Sequence, residues 1–150
     1  MQIRAATIED IPAIAKIGRE FHARADWSDV FDYSEADCAA SLAALMESGV
    51  FICLVAECGE IVGIASGVVS PVYFNHAHKS GEELFWYVSP DAPPMTGMRL
   101  LTALEEAAAA AGCGSWQMKS LARLNGDRMG RVYERRGYRA SEHMFIKRLH

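Results

Sequence analysis

The stretch Phe85-Trp86-Tyr87-Val88-Ser89-Pro90, followed across Asp91-Ala92-Pro93-Pro94 by Met95-Thr96-Gly97-Met98-Arg99, decides how this chain reads. Glu83 to Val88 is aromatic and apolar, a strong strand pattern, and the Ser/Pro/Asp-rich run after it must break the strand. From Met95 to Ala111 the pattern is helical, dense in Ala, Leu and Glu, with Gly112 as the stop. The unit is therefore strand, short loop, helix. A helix start presents unpaired N–H groups and the positive end of the helix dipole, which suits a phosphate. Gly97 lets the backbone approach a ligand, Thr96 adds a hydroxyl and Arg99 a cation. The same residues also fit a plain capped helix after a strand, since one glycine is a weak signal.

Working outward toward the N-terminus, Gln2 to Ala6 reads as a short strand. Ile11, Ile14, Ile17, Phe21 and Ala25 recur at helical spacing, with Pro12 in the first turn. Ser34 with Asp37 reads as an N-cap, and its helix runs to about Ser48 with Gly49 as the stop. Val50–Ala56 and Ile61–Val69 are β-branched strands joined by Glu57-Cys58-Gly59-Glu60, and Pro71 to Ser80 reads as a connection. Toward the C-terminus come a strand from Ser115 to Leu121, a helix from Arg128 to Arg136 stopped by Gly137, and a closing strand around His143 to Leu149. The order β-α-α-β-β-β-α-β-α-β predicts an α/β fold: a mixed, mainly antiparallel central sheet with helices on both faces.

Composition sets the limits. At 150 residues the chain is expected to form one domain, 1–150. Hydrophobic residues at 51% and charged residues at 23% argue against disorder. A formal charge of −4 gives no footprint for nucleic acid. The longest apolar run, Val50 to Ala56, is too short to span a bilayer, and MQIRAATIED has no signal-peptide core, so a cytoplasmic location is expected. Cys38, Cys53, Cys58 and Cys113 have no metal-binding spacing, and His76 and His78 lack a third ligand, so no metal is expected. Arg128, Arg131, Arg135 and Arg136 read as a solvated helix face.

A second segment carries chemistry: Val132-Tyr133-Glu134-Arg135-Arg136-Gly137-Tyr138. Taken alone, a Tyr one turn before a helix end is a packing residue whose hydroxyl seeks a partner. With the element order, these segments resemble the GNAT superfamily, the GCN5-related N-acetyltransferases. Ile3-Arg4-Ala5-Ala6-Thr7 with Glu9-Asp10-Ile11-Pro12 is similar to the family's first strand and helix. Trp86-Tyr87-Val88-Ser89-Pro90 is similar to its fourth strand, Leu100-Leu101 and Leu104-Glu105-Glu106-Ala107 to the following helix, and Val132 to Tyr138 to its late tyrosine motif. The family's pyrophosphate loop reads Arg or Gln, two residues, Gly, one residue, then Gly or Ala. Those positions here are Ala92, Met95 and Gly97, so only the last matches.

The resemblance implies an acyltransferase that uses acetyl-CoA. Its pantetheine arm would pair with Tyr87 and Val88, with a backbone N–H near Val88 steadying the oxyanion. Its pyrophosphate would sit on Met95, Thr96, Gly97, Met98 and Arg99. Tyr133 would hydrogen-bond to the leaving sulfur. A phenol near pKa 10 protonating a thiolate near 8.5 is uphill by about 2 kcal/mol, so Tyr133 positions and stabilises the sulfur rather than acting as a strong acid. Glu83 is preferred to Glu82 as the base, because strict alternation puts it on the face of Phe85 and Tyr87. The loop Asp26 to Tyr33 would wall the acceptor cleft, with Trp27, Asp29, Phe31 and Asp32 drawing a small polar or cationic amine. Aromatics tucked into the core and acids facing water fit the same loop. The implied partners are acetyl-CoA and the amine, with neither nucleic acid nor membrane, and a homodimer is compatible. The alternatives are a catalytically weak module of the same fold that binds CoA or another ligand, and a purely structural α/β interaction protein.

Overall fold

Five strands form one sheet in the order β1-β2-β3-β4-β5: β1 (Gln2–Ala5), β2 (Phe51–Cys58), β3 (Glu60–Val72), β4 (Asn75–Val88) and β5 (Ser115–Gln117). The computed structural model describes residues 1–25, 27–122 and 124–150. The first three pairings are antiparallel and β4–β5 is parallel, the mixed and mainly antiparallel sheet expected. The helices are α1 (Ile11–Arg24), α2 (Glu35–Ser48), α3 (Thr96–Ala110) and α4 (Gly126–Arg135). Ser34 caps α2 by accepting the Asp37 N–H at 3.2 Å, and Gly49 ends it at φ 74°. Among the described residues no helix is long and apolar enough to cross a membrane.

The sheet is covered on both faces. Ile11, Ile14 and Ile17 of α1 and Leu42 of α2 pack on Cys53, Val55 and Ile64, with Phe85 and Tyr87 beside them. On the other face Leu100 and Leu104 of α3 pack on Ala56, Val62 and Ala65, with Trp86, Val88 and Trp116 beside them. Burying each such aliphatic side chain contributes about 1.5–3 kcal/mol. At the entry to α1, Arg4 grips the Asp10 carboxylate at 2.7 and 2.9 Å and reaches Glu57 at 2.8 Å. The guanidinium holds the Asp10 carboxyl down at about 2.

Two single-residue bulges break the simple alternation, and a third register shift, between Pro71 and Val72, leaves 76–78 unmatched beside the β3–β4 turn. Ala56 faces Gly63 while Glu57 faces Ile61, so Val62 is an extra residue. Ser66 faces Phe85 while Gly67 faces Glu83, so Leu84 is an extra residue in β4. A bulge inserts one unpaired residue and shifts which side its neighbours present.

Three expectations are corrected. Pro71 to Ser80 is not a connection: β3 and β4 run on to a hairpin turned at Tyr73-Phe74. Pro71 is tolerated because β3 has lost its β2 neighbour there; the last contact is the Val69 N–H to Val50 O. His76 and His78 are accordingly on a strand, both exposed. The strand expected from Ser115 to Leu121 spans three residues only. The closing strand around His143 to Leu149 does not form. A strand exists by pairing, and β5 ends at Gln117, too short an edge for a seven-residue partner. Met144, Phe145, Ile146 and Leu149 are left exposed, and the tail is tied by Arg148 donating to Asp29 O at 3.0 Å.

The short parallel ladder is pinned by a ring. Trp116 lies over Gly67 and Gly81, and a Cβ at either glycine would fall inside its van der Waals surface. Gly81→Ala is expected to destabilise the protein by about 1–3 kcal/mol through overpacking, read as a lowered urea midpoint. Gly130→Ala, which meets nothing within 4 Å, is the control that leaves the midpoint in place or raises it.

Candidate active site

The site grows from the second half of β4. Its pairing with β5 runs from Ser80↔Ser115 to Glu82↔Gln117 and then stops. From Glu83 to Val88, β4 has no strand neighbour on that side among the described residues. The Ser89 N–H is donated to Val62 O on β3 at 2.9 Å. Main-chain groups alternate in direction along a strand, so the N–H of Val88, one residue back, faces the open side.

The Leu84 bulge puts Glu83 on the face opposite Phe85 and Tyr87, which corrects the face assigned by strict alternation. Phe85 and Tyr87 stack against Phe21 of α1, with ring centroids at 5.0 and 5.6 Å. Glu83 instead meets the segment after β5, where its carboxylate accepts the Lys119 N–H at 3.2 Å. Tyr133 of α4 donates its hydroxyl to the carbonyl of that same residue at 2.8 Å. One residue's backbone thus carries a carboxylate on its N–H and a phenol on its carbonyl. Glu83 and Tyr133 are both buried, 7% and 8% exposed. Glu82 is exposed and pairs with Lys119 Nζ at 3.3 Å.

Burial penalises the Glu83 carboxylate more than the Lys119 charge and N–H favour it, and its pKa is pushed up to about 7. Tyr133 is raised well above the ordinary phenol range, by burial first and then by the Glu83 charge. Trp86 packs beside Tyr133, with ring centroids at 6.1 Å. The Trp86 Nε1 and Tyr87 Oη atoms are buried with no hydrogen-bond partner among the described residues.

At the start of α3, Met95 sits in the left-handed region at φ 67°, the one non-glycine there among the described residues. The Thr96 and Arg99 N–H groups are taken by Pro93 O and Met95 O. The Gly97 and Met98 N–H groups have no such backbone acceptor among the described residues. Thr96 departs from its expected role: its side chain is buried, and its hydroxyl donates to Pro93 O at 2.6 Å and approaches Met1 Sδ at 2.9 Å. The hydroxyl is used to close the turn. Met98 is half-buried and Arg99 is exposed. Gly97 lies against Val88 and Trp86, at 3.5 and 3.6 Å from where a Cβ would stand, so the helix start abuts the open strand.

The loop expected to wall the acceptor cleft sits on the other face of β4. Trp27 packs edge-on against Phe21 at 5.5 Å, which links it to Phe85 and Tyr87. Asp29, Phe31 and Asp32 are exposed. Asp26 lies outside the described residues. Tyr33 is a clamp, donating to Ala15 O at 2.5 Å in the space left by Gly18.

No family model and no curated protein matches the sequence. Solved structures match over almost the whole chain. An acetyltransferase of Trypanosoma brucei superposes with TM-score 0.73 at 20% identity, covering 99% of each chain. A predicted acetyltransferase of Clostridium acetobutylicum, solved with acetyl-CoA, gives 0.75 at 14% identity over 99% of this chain and 96% of that one. This is the GNAT fold. A transcriptional regulator of Bacillus halodurans C-125 is also similar, with TM-score 0.76 at 19% identity over 99% of each chain.

Met95, the residue that the sequence resemblance sets against the family loop's first glycine, has a φ of 67°, in the region that glycine favours. Sequence reasoning missed Lys119, because its part is played by main-chain atoms. The bulge left a faint trace in Leu84, an apolar residue that the structure leaves exposed.

Two stability measurements follow from this geometry. A non-glycine residue in the left-handed region costs about 1–2 kcal/mol, so Met95→Gly should stabilise the protein slightly while Met95→Val lowers the thermal midpoint. Glu83 binds its proton more tightly folded than unfolded, so its burial lowers stability progressively as pH rises from about 4.5 to about 7. Glu83→Gln should therefore stabilise the protein at pH 8, by on the order of 3 kcal/mol, and have little effect at pH 4.5. Equal effects at both pH values in denaturant titrations would refute the buried carboxylate as the cause.

Proposed function

We propose that this chain transfers an acetyl group from acetyl-CoA to a primary amine by direct attack on the thioester. The observation that carries the reading is the pairing of Glu83 and Tyr133 across the Lys119 backbone, beside the open edge of β4. The shared fold supports it, including the neighbour solved with acetyl-CoA. The donor's pyrophosphate would take the Gly97 and Met98 N–H groups, with Arg99 as a nearby cation, and its pantetheine arm would run along Tyr87 and Val88. The Val88 N–H would steady the oxyanion.

In this reading the neutral amine nitrogen bonds to the acetyl carbon while its proton passes to Glu83, directly or through one water. A base with pKa about 7 suits that transfer near neutral pH. The C–S bond then breaks. Tyr133 leaves Lys119 O and hydrogen-bonds to the departing sulfur, and the thiolate takes up, through solvent, the proton that Glu83 received. The acceptor would enter from the Phe21 and Trp27 side and pass the open edge of β4 to reach Glu83 on the opposite face; the exposed Asp29, Asp32 and Phe31 on the entry side favour a small polar or cationic amine.

A second reading is a module of the same fold that binds CoA without turnover. The strained Met95 and the missing N–H groups of Pro93 and Pro94 favour it, and a transcriptional regulator shares the fold.

Thiol release from acetyl-CoA over a panel of amines, paired with calorimetric titration of acetyl-CoA, separates the two: turnover supports transfer, whereas binding without turnover supports the module. If the enzyme reading holds, kcat/KM rises with pH through about 7 and this rise is lost in Glu83→Gln. Tyr133→Phe lowers kcat by about tenfold or more with little change in acetyl-CoA affinity. Asp29→Asn with Asp32→Asn raises KM for a diamine at low salt and flattens its salt dependence. Unchanged acceptor kinetics would remove the loop from substrate selection.

A further inference from the structure

The helix bearing Tyr133 ends in a tightly built turn. Gly137 takes φ 90°, the Gly137 N–H bonds Glu134 O at 3.0 Å, and the Tyr138 N–H bonds Tyr133 O at 3.0 Å. This is the paired C-terminal closure in which a glycine ends the helix and the following residue packs back on it. Here the ring that packs back is Tyr138, 5.6 Å from the Tyr133 ring. Tyr138 therefore caps the Tyr133 carbonyl and flanks its side chain at once.

Tyr138 is held in turn from α3. Its hydroxyl donates to Glu105 Oε1 at 2.9 Å. Arg136, the residue between helix end and glycine, donates its Nε to the same oxygen at 3.1 Å and an Nη2 proton to Glu105 Oε2. Nη2 also donates to Thr102 Oγ1 at 3.1 Å, and Thr102 donates to Met98 O at 3.1 Å. The bonds thus run from the residue that offers a free N–H at the start of α3, along one helix face, to the turn that fixes Tyr133. The pair is half-buried, with side-chain exposures of 24% and 29%, where a bidentate Arg–carboxylate bond is stronger than at the open surface.

We propose that Glu105 is a positioning residue for Tyr133: from α3 it grips Arg136 and Tyr138, and so sets the height and orientation of the Tyr133 hydroxyl beside the β4 cleft. The proposal rests on the reading of Tyr133 as the group that meets the leaving sulfur. Glu105 touches neither donor nor acceptor, and its effect reaches the chemistry only through Tyr133.

The experiment is a double-mutant cycle on thiol release. Glu105→Gln keeps the shape and removes the charge that grips Arg136. It should lower kcat about tenfold, the scale expected when a reacting group is displaced by a fraction of an ångström, while KM for acetyl-CoA stays within about twofold. Added to Tyr133→Phe, Glu105→Gln should cost nothing further, because the hydroxyl it positions is already gone. An equal loss in both backgrounds, or no loss in either, overturns the proposal. If the wild type releases no thiol, the enzyme reading falls, and NMR of the Tyr133 ring decides the clamp alone: Glu105→Gln should shift its resonances through the moved Tyr138 ring, and unchanged resonances overturn the clamp.

Discussion

The architecture turns on the contact between the Trp116 ring and the backbone of Gly67 and Gly81. A parallel pair of three residues is a weak join, since each ladder bond contributes only about 0.5–1.5 kcal/mol net. The indole adds a large apolar surface laid across two strands at Gly67 and Gly81, the two positions with no side chain to obstruct it. This holds β5 against β4 at one end and nowhere else. Because the join ends at Glu82, β4 beyond it is left with an open edge, along which the proposed donor would lie.

Beside the open edge of β4, stability opposes the proposed chemistry. Glu83 is buried where a carboxylate is disfavoured, and it is kept there by one N–H and by the bulge that swings it off the Phe85 face. Met95 holds a strained backbone at the start of α3. These are the places where the chain departs from its best local choice, and both border the same opening. Elsewhere the choices agree with the fold: Ser34 caps its helix, glycines end helices at positive φ, and the Arg4–Asp10 pair locks the first strand to the first helix.

Most elements were legible because their signals are local. Hydrophobic spacing revealed α1 and α3, and Gly49 and Gly137 marked helix ends. What failed depended on partners. Whether Pro71 to Ser80 pairs is decided by where β2 ends, and whether His143 to Leu149 forms a strand is decided by the length of β5. The face of Glu83 was misread because alternation assumes an unbroken strand, and no residue type announces the extra position at Leu84. Thr96 was read as a ligand group from its hydroxyl, but that hydroxyl is claimed by Pro93 O. Arg136 was grouped with solvated arginines although its partner, Glu105, lies on another helix.

The parallel join also sets an order of events. The β2–β3 and β3–β4 pairings are hairpins, closed by short turns at Gly59 and Tyr73-Phe74. Ser80 meets Ser115 only after α3 has formed and folded back over the sheet. Contacts of large sequence separation carry the greater loop-closure entropy and form late. The meander is thus a folding unit that can stand before the cleft exists, and β5 with α4 docks on it afterwards. Local opening in the native protein is expected to follow the same hierarchy: the amide protons of β5 and the Lys119 segment should exchange ahead of those in β2 and β3, which would bring Glu83 and Tyr133 to water without the sheet coming apart.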